Sequence, residues 1–330
     1  MHSKSIGFFT RLLDEGPAAK RYQLAGEQIQ AAEKLGFNTA WVAQHHFHPA
    51  EGGLPSPLPF LAHVAAKTSA IHLGTGVITL PMEDAIRVAE DAAVVDILSQ
   101  GRLEVGFGSG GTPSSYAAFG HDFAQRHALM NANLATIKQS WAGQALPGGN
   151  VVWPQASGLG QRCWQATFSA FGARMAGSAG DGLMLSRTQP RPQGWEGAPL
   201  HALQQPLVEA YLESLPQGVP ARIMASRTVV VADSRQQALD WAQAGLFRQV
   251  PLFRQAGFTL DDSSLENLIQ SFDVILGTPE EVARQLAEDR ALDKATEVAI
   301  QVHSVDPPPE ATLRSLALFS TQVAPALGWR

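Results

Sequence analysis

Cys163 is the only thiol in this chain. One cysteine forbids an intramolecular disulfide and removes every zinc site that needs several thiolates. Charge is also scarce: 16% of the 330 residues are Asp, Glu, Lys or Arg, with a formal net charge of −6 and no long basic run. Nucleic acids and anionic membranes are gripped by clustered Lys and Arg, so neither is an expected partner. Long apolar runs are absent as well. The first ten residues hold too short an apolar stretch for a signal peptide before Arg11 and Asp14 interrupt it. The most apolar region, residues 54–81, is broken by His63, Lys67 and His72 and by Gly74 and Gly76. No transmembrane helix is therefore expected, and the cytoplasm is the expected compartment.

What the chain does have is apolar mass, 45% of its residues, enough to bury a large core. Short apolar runs alternate with amphipathic stretches. Residues 6–10 read as a strand, and Tyr22, Ala25, Ile29, Ala32 and Leu35, spaced by three and four, predict a helix that Gly36 ends. Further strands are predicted at residues 39–43, 71–80, 103–107, 163–167, 182–186, 228–232 and 298–302. Helices are predicted at residues 84–99, with Ile86, Ala89, Ala93 and Ile97 on one face, and at residues 127–141. Thr278-Pro279-Glu280-Glu281 is a capping-box start, and Leu316, Phe319 and Val323 share a face of the last helix. Residues 147–161 are a Gly/Pro-rich loop, and residues 250–277 form the longest irregular insertion, before the last strand. Eight strand–helix units require parallel strands, because only a crossover helix lets consecutive strands run the same way. The count favours one closed (β/α)₈ TIM-type barrel over residues 1–330, with an insertion before strand eight.

Gln44-His45-His46-Phe47 stands where the second strand ends, and catalytic groups of such barrels sit at the C-terminal ends of strands. Imidazole exchanges protons near neutral pH, so His45 and His46 are candidates for proton transfer. Adjacent side chains point different ways, which predicts different roles for the two. His48 is a third candidate, and the alternative for any of them is a loop hydrogen bond. No Asp or Glu at ligand spacing accompanies the pair, so a metal site is not expected.

Gly106-Phe107-Gly108-Ser109-Gly110-Gly111 matches the letters of a dinucleotide fingerprint, yet it follows the fourth strand, and Pro113 and a loop come next. Glycines at a strand end either let backbone approach a flat ligand or mark a turn. Gly74 and Gly76 lie inside the third strand, where a bulge or a ligand would justify them. Ser169 either caps the helix that follows or binds phosphate with the neighbouring N–H groups. Arg174 and Arg187 are either phosphate partners or solvated surface residues.

Gln44-His45-His46-Phe47, Leu73-Gly74-Thr75-Gly76-Val77-Ile78-Thr79-Leu80-Pro81 and residues 87–107 resemble the bacterial luciferase-like flavin monooxygenases. Phe119-Gly120, Trp141-Ala142-Gly143 and Gly277-Thr278-Pro279-Glu280-Glu281 extend the likeness over nearly the whole chain. The resemblance implies an FMN site at the C-terminal mouth of the barrel. There, reduced flavin and O₂ give a C4a-hydroperoxide that oxidises a small organic substrate. His45 matches the family's catalytic histidine, with His46 supporting the pocket. Thr75, Gly76 and Val77 match the strand beneath the flavin ring, where the family has a non-proline cis peptide at the position of Gly76-Val77. Gly108 and Ser109 border the cofactor, and Ser169 matches a phosphate contact.

The chain departs from the family at Gln44, often acidic there, and at Asp84, which replaces a second histidine. Gly108 and Ser109 stand where the luciferases carry a cysteine and a phosphate-binding arginine. Arg174 or Arg187 would then have to supply the phosphate grip, and neither bioluminescence nor an aldehyde substrate carries over. The implied enzyme takes reduced FMN from a separate flavin reductase and forms a homodimer. Two other readings stay open: deazaflavin-dependent hydride transfer on the same barrel, and non-catalytic flavin binding.

Overall fold

The computed structural model describes residues 3–195, 197–255, 257–302 and 307–330. Its strands are β1 (Ser5–Thr10), β2 (Thr39–Val42), β3 (His72–Thr79), β4 (Leu103–Gly108), β5 (Cys163–Ala166), β6 (Gly182–Leu185), β7 (Ile223–Val231), β8 (Val274–Gly277) and β9 (Glu297–Gln301). Every pairing is parallel. β1 to β7 follow one another round the sheet, β9 links β7 back to β1, and β6 pairs with β7, which closes a ring of eight strands. The helices are α1 (Ala18–Lys34), α2 (Pro57–Ala65), α3 (Ala85–Leu98), α4 (Pro113–Ala118), α5 (Arg126–Trp141), α6 (Ala170–Ser178), α7 (Leu200–Ser214), α8 (Arg235–Gln255), α9 (Leu265–Ser271), α10 (Pro279–Glu288) and α11 (Pro309–Leu318). No helix among the described residues is long and apolar enough to cross a membrane.

The barrel is the one predicted, with β9 as its eighth strand. The insertion over residues 250–277 is where it was expected but is not irregular. α8 runs on to Gln255, α9 follows, and β8 pairs with the end of β7 from Thr228↔Val274 to Val231↔Gly277. Val274-Ile275-Leu276 is too short an apolar run to declare a strand. The nine-residue β7 outruns its pairing with β9, which stops at Thr228↔Gln301, and the bare remainder of its edge recruits β8.

Local signals behaved as their chemistry requires. Gly36 ends α1 at φ +76°, Asp84 accepts from Arg87 N at the start of α3, and Thr278 and Glu281 form the full capping box of α10. The buried face of α3 differs from the one predicted. Val88, Ala89, Ala92, Ala93 and Val95 face the core, while Ile86 and Ile97 point outward with Val94 and Leu98. Apolar residues surround this helix on most sides, so spacing alone could not choose between two faces.

The barrel interior is built in layers along the strand direction. At the N-terminal end, Glu297 Oε1 accepts from Thr39 Oγ1 (2.5 Å) and Trp41 Nε1 (2.6 Å). Beside it Glu104 accepts from Trp164 Nε1 at 2.7 Å and pairs with His72 at 3.1 Å. The two indoles meet edge to face in the next layer, centroids 5.6 Å apart. Gly74 belongs to this packing: a methyl group on it would lie 2.2 Å from the Trp41 ring. Above the indoles, Phe9, Met184 and Met224 close the core and form the floor of what lies over the barrel.

Candidate active site

A cavity of about 650 Å³ opens over the C-terminal ends of the strands. Phe9, Met184 and Met224 line it from below together with Gly76 and Val77 of β3. The Gly76–Val77 peptide is cis, and the β3–β4 register shifts between Thr75 and Ile78, so Gly76 sits at a bulge. Gly108 clears the wall above: a methyl there would lie 2.7 Å from Val77 Cγ2. This is a flat, apolar slot.

The far wall is polar. Ser169 caps α6, its Oγ accepting from Gly172 N at 3.1 Å, and Thr167 Oγ1 accepts from Ser169 N at 3.1 Å. Arg126 opens α5, lies 4.2 Å over the Phe123 ring and donates to the Phe123 carbonyl at 3.1 Å. The start of α5 with its Arg126 guanidinium and the capped start of α6 thus border the same cavity as the apolar slot, an arrangement that suits a flat ring with an anionic tail. His127 follows Arg126 into the same wall, and burial together with Arg126 lowers its pKa.

The histidines stand beside this cavity rather than in its lining. Gln44 N donates to Val77 O at 3.4 Å, which places the end of β2 against the cis peptide. His45 is half-buried; burial first, then Arg11, His46 and Arg187, hold its imidazole at about 3, so it is neutral at physiological pH. Its Nδ1 is enclosed and has no protein partner. His46 packs edge-on against Phe119, centroids 4.9 Å apart, with its Nε2 enclosed and unpartnered. His48 Nε2 meets Ser114 Oγ of α4 at 3.0 Å, a partner outside its own loop.

Gln44 shows why an acid is not needed before the pair. Its Oε1 accepts from Thr79 N at 2.6 Å, and its Nε2 donates to Glu83 (2.6 Å) and to Pro55 O (3.0 Å). A carboxylate could accept but not donate, and it would face Glu83, whose own pKa burial already raises. Asp84, in place of the family's histidine, is spent on capping α3.

Gly76, Val77, Gly108, Ser109 and Ser169 are thus brought together in one cavity. Thr75 is not in its lining: it is fully buried and its hydroxyl bridges the N–H and C=O of Gly106 at 2.9 Å each. Arg174 is paired with Glu213 on the surface at 3.2 Å, outside the cavity lining. Arg187 is buried, bonded to Thr228 Oγ1 at 3.5 Å and stacked over Phe253 at 5.6 Å, also outside the lining. Among the described residues, Arg126 is the arginine that lines the cavity, and sequence reasoning did not single it out. Residue type could not have singled it out: Arg126 opens α5 with its guanidinium over the Phe123 ring, a placement that only the fold of residues 123–126 sets.

A closed parallel barrel with a flat apolar slot, a polar wall and a strand-end histidine pair is the arrangement of barrel enzymes that work at the C-terminal ends of their strands. The model of the luciferase-like monooxygenases matches residues 5–295, and the chain belongs to that family. It is 32% identical over 226 residues to the 4-hydroxyprotoasukamycin monooxygenase of Streptomyces nodosus subsp. asukaensis, covering 65% of this chain and 60% of that one. The chain spans 30% to 60% of the length of the curated relatives it matches first. Its fold superposes on monooxygenase RslO1 from Streptomyces bottropensis with a TM-score of 0.82 at 24% identity, covering 97% and 99% of the two chains. The oxygenating constituent of 3,6-diketocamphane monooxygenase from Pseudomonas putida, solved in complex with FMN, gives a TM-score of 0.77 at 17% identity and 98% coverage of both chains.

Proposed function

We propose that the protein is an FMN-dependent monooxygenase that oxidises a small organic molecule. The observation that carries this reading is the joining, in one cavity, of an apolar slot over Gly76–Val77 to the polar wall of Arg126, Ser169 and Gly172. The slot suits an isoalloxazine ring and the wall suits a phosphate. Bound reduced FMN would supply two electrons to O₂, one oxygen atom entering the substrate and the other leaving as water. Gly76, Val77 and Gly108 would hold the ring, Ser109, Arg126 and Ser169 the phosphate. His45 would hold a proton beside the reacting oxygen, with His46 packed behind it.

A separate reductase supplies the reduced FMN in this reading, and the work is done in the cytoplasm. Phe168 and Phe171, at the rim of the phosphate end, are 54% and 72% exposed, which leaves an open route for flavin to exchange. Incubation with chemically reduced FMN and ¹⁸O₂ should place one labelled atom in the product. Substrate turnover without O₂ would instead indicate hydride transfer, and flavin binding with no substrate-dependent O₂ uptake would indicate a carrier.

Arg126→Ala is expected to weaken FMN binding about 10- to 100-fold, the loss of a charge-assisted hydrogen bond to phosphate. Riboflavin, which lacks the phosphate, should bind parent and variant alike; titration of flavin fluorescence reads both.

The homodimer is proposed to form through α3, where Ile86, Val94, Ile97 and Leu98 are 39%, 44%, 57% and 58% exposed. So many large apolar residues on one exposed helix mark an interaction face. Ile97→Glu should convert the dimer to monomer in sedimentation velocity while the circular dichroism spectrum is unchanged.

A further inference from the structure

We propose that Gly52 sets the tautomer of His45: by closing over Nδ1 it leaves the ring to present Nε2–H to the active site. The inference rests on the proton-handling role given to His45 above and adds the device that fixes which nitrogen carries the proton.

The loop between β2 and α2 folds back over the imidazole. His45 N donates to Leu54 O at 3.0 Å, Gly52 N to His48 O at 3.4 Å, and Gly53 N to Arg11 O at 2.9 Å. Glu51 is pinned twice more, its carbonyl by Arg11 Nη1 at 3.1 Å and its carboxylate by Thr112 Oγ1 at 3.0 Å. These ties bring the buried Gly52 directly against the ring. A methyl group on Gly52 would lie 2.3 Å from Nδ1, 2.8 Å from Cγ and 3.1 Å from Cβ of His45. Only a residue without a side chain lets the loop close this far.

The consequence is an asymmetric imidazole. Nδ1 is enclosed and Nε2 is not, and among the described residues neither meets a hydrogen-bond donor or acceptor. A buried N–H without an acceptor costs more than a buried lone pair without a donor. The single proton of the neutral ring therefore sits on the open nitrogen. The charged groups bearing on the ring, Arg11 after β1 and Arg187 after β6, are cationic and with His46 oppose a second proton. His45 then acts on an oxygen at the site as a hydrogen-bond donor through Nε2–H, not as a base at that atom. Gly52 is a positioning residue for it.

Long-range ¹H–¹⁵N correlation of the histidine rings in the uniformly labelled, flavin-free protein tests this, with His45→Gln assigning the resonance. The expected pattern is a protonated Nε2 and an unprotonated Nδ1 that stay unchanged from about pH 5 to about pH 8. A protonated Nδ1, or two averaged nitrogens, would overturn the proposal even if no Gly52 variant folds. In Gly52→Ala the methyl must push the ring aside and admit water to Nδ1. The two nitrogens should then average, and the histidine should titrate more than one pH unit higher. An unchanged ring pattern in this variant would also overturn it. If the parent shows the expected tautomer but His45→Leu oxidises substrate at the parent's rate, the tautomer assignment stands and the catalytic reading of His45 falls.

Discussion

His45→Leu is expected to lower substrate oxidation by about 100- to 1,000-fold, the loss that follows removal of one positioned hydrogen-bond donor to a developing oxyanion. Leucine fills a similar volume and carries no donor, so the loop over residues 45–54 should keep its backbone bonds, and flavin affinity should change little because His45 lies outside the cavity lining. The loss should thus fall on turnover rather than on binding. The pH profile carries a second expectation. An imidazole held at about 3 stays neutral across the physiological range, so turnover should not follow a histidine titration near pH 6.5 in the parent. Steady-state rates over about pH 5 to 8, together with flavin titrations, decide both points. A variant that keeps the parent's turnover would show that the reaction does not need a hydrogen bond from His45.

Glu297→Gln is expected to stabilise the protein by about 1–3 kcal/mol above neutral pH and to change little near pH 5. Glu297 is 4% exposed, and burial raises its pKa to about 7 against the hydrogen bonds from Thr39 and Trp41, with Glu104 adding to the rise. From the ordinary carboxylate range up to about 7, the native protein holds a proton that the unfolded chain has released. Stability therefore falls as pH rises through that window and stays lower above it. Glutamine keeps the acceptor oxygen and cannot ionise.

Asp14, raised to about 6 by burial, bends the curve the same way. His45 bends it oppositely. Between about 3 and 6.5 its native imidazole is neutral while the unfolded one is protonated, so its contribution to stability grows with pH. The parent's pH dependence is a partial cancellation, and the difference between variant and parent isolates Glu297. Urea unfolding midpoints at about pH 5 and about pH 8 measure it; a difference that does not grow with pH would place the proton elsewhere.

The residues that could be read correctly from the chain are those whose constraint is local. Thr278 and Glu281 cap a helix by bonds that span three residues, and Gly36 ends one by its own φ. Gly76 and Gly108 were legible because glycine inside or at the end of a strand needs a close neighbour. The same rule left Gly74 open between a bulge and a ligand, and its close neighbour is the Trp41 indole. Arg174 and Arg187 could not be sorted from Arg126 by residue type, since all three carry the same charge. Only the direction in which α5, α6 and β6 present them separates a surface ion pair, a buried strand tie and a cavity wall.

The sequence by itself determined the alternation of strands and helices, the closed parallel barrel and the strand end that bears the histidine pair. Each of those follows from periodicity, capping and crossover rules that act over neighbouring residues. Tertiary structure alone decided which arginine lines the cavity, which face of α3 is left uncovered, and that β8 completes the edge of β7. It also decided that one nitrogen of His45 is sealed and the other open. These depend on contacts between segments far apart in the chain, where position, burial and the field of neighbouring charges outweigh the identity of the residue.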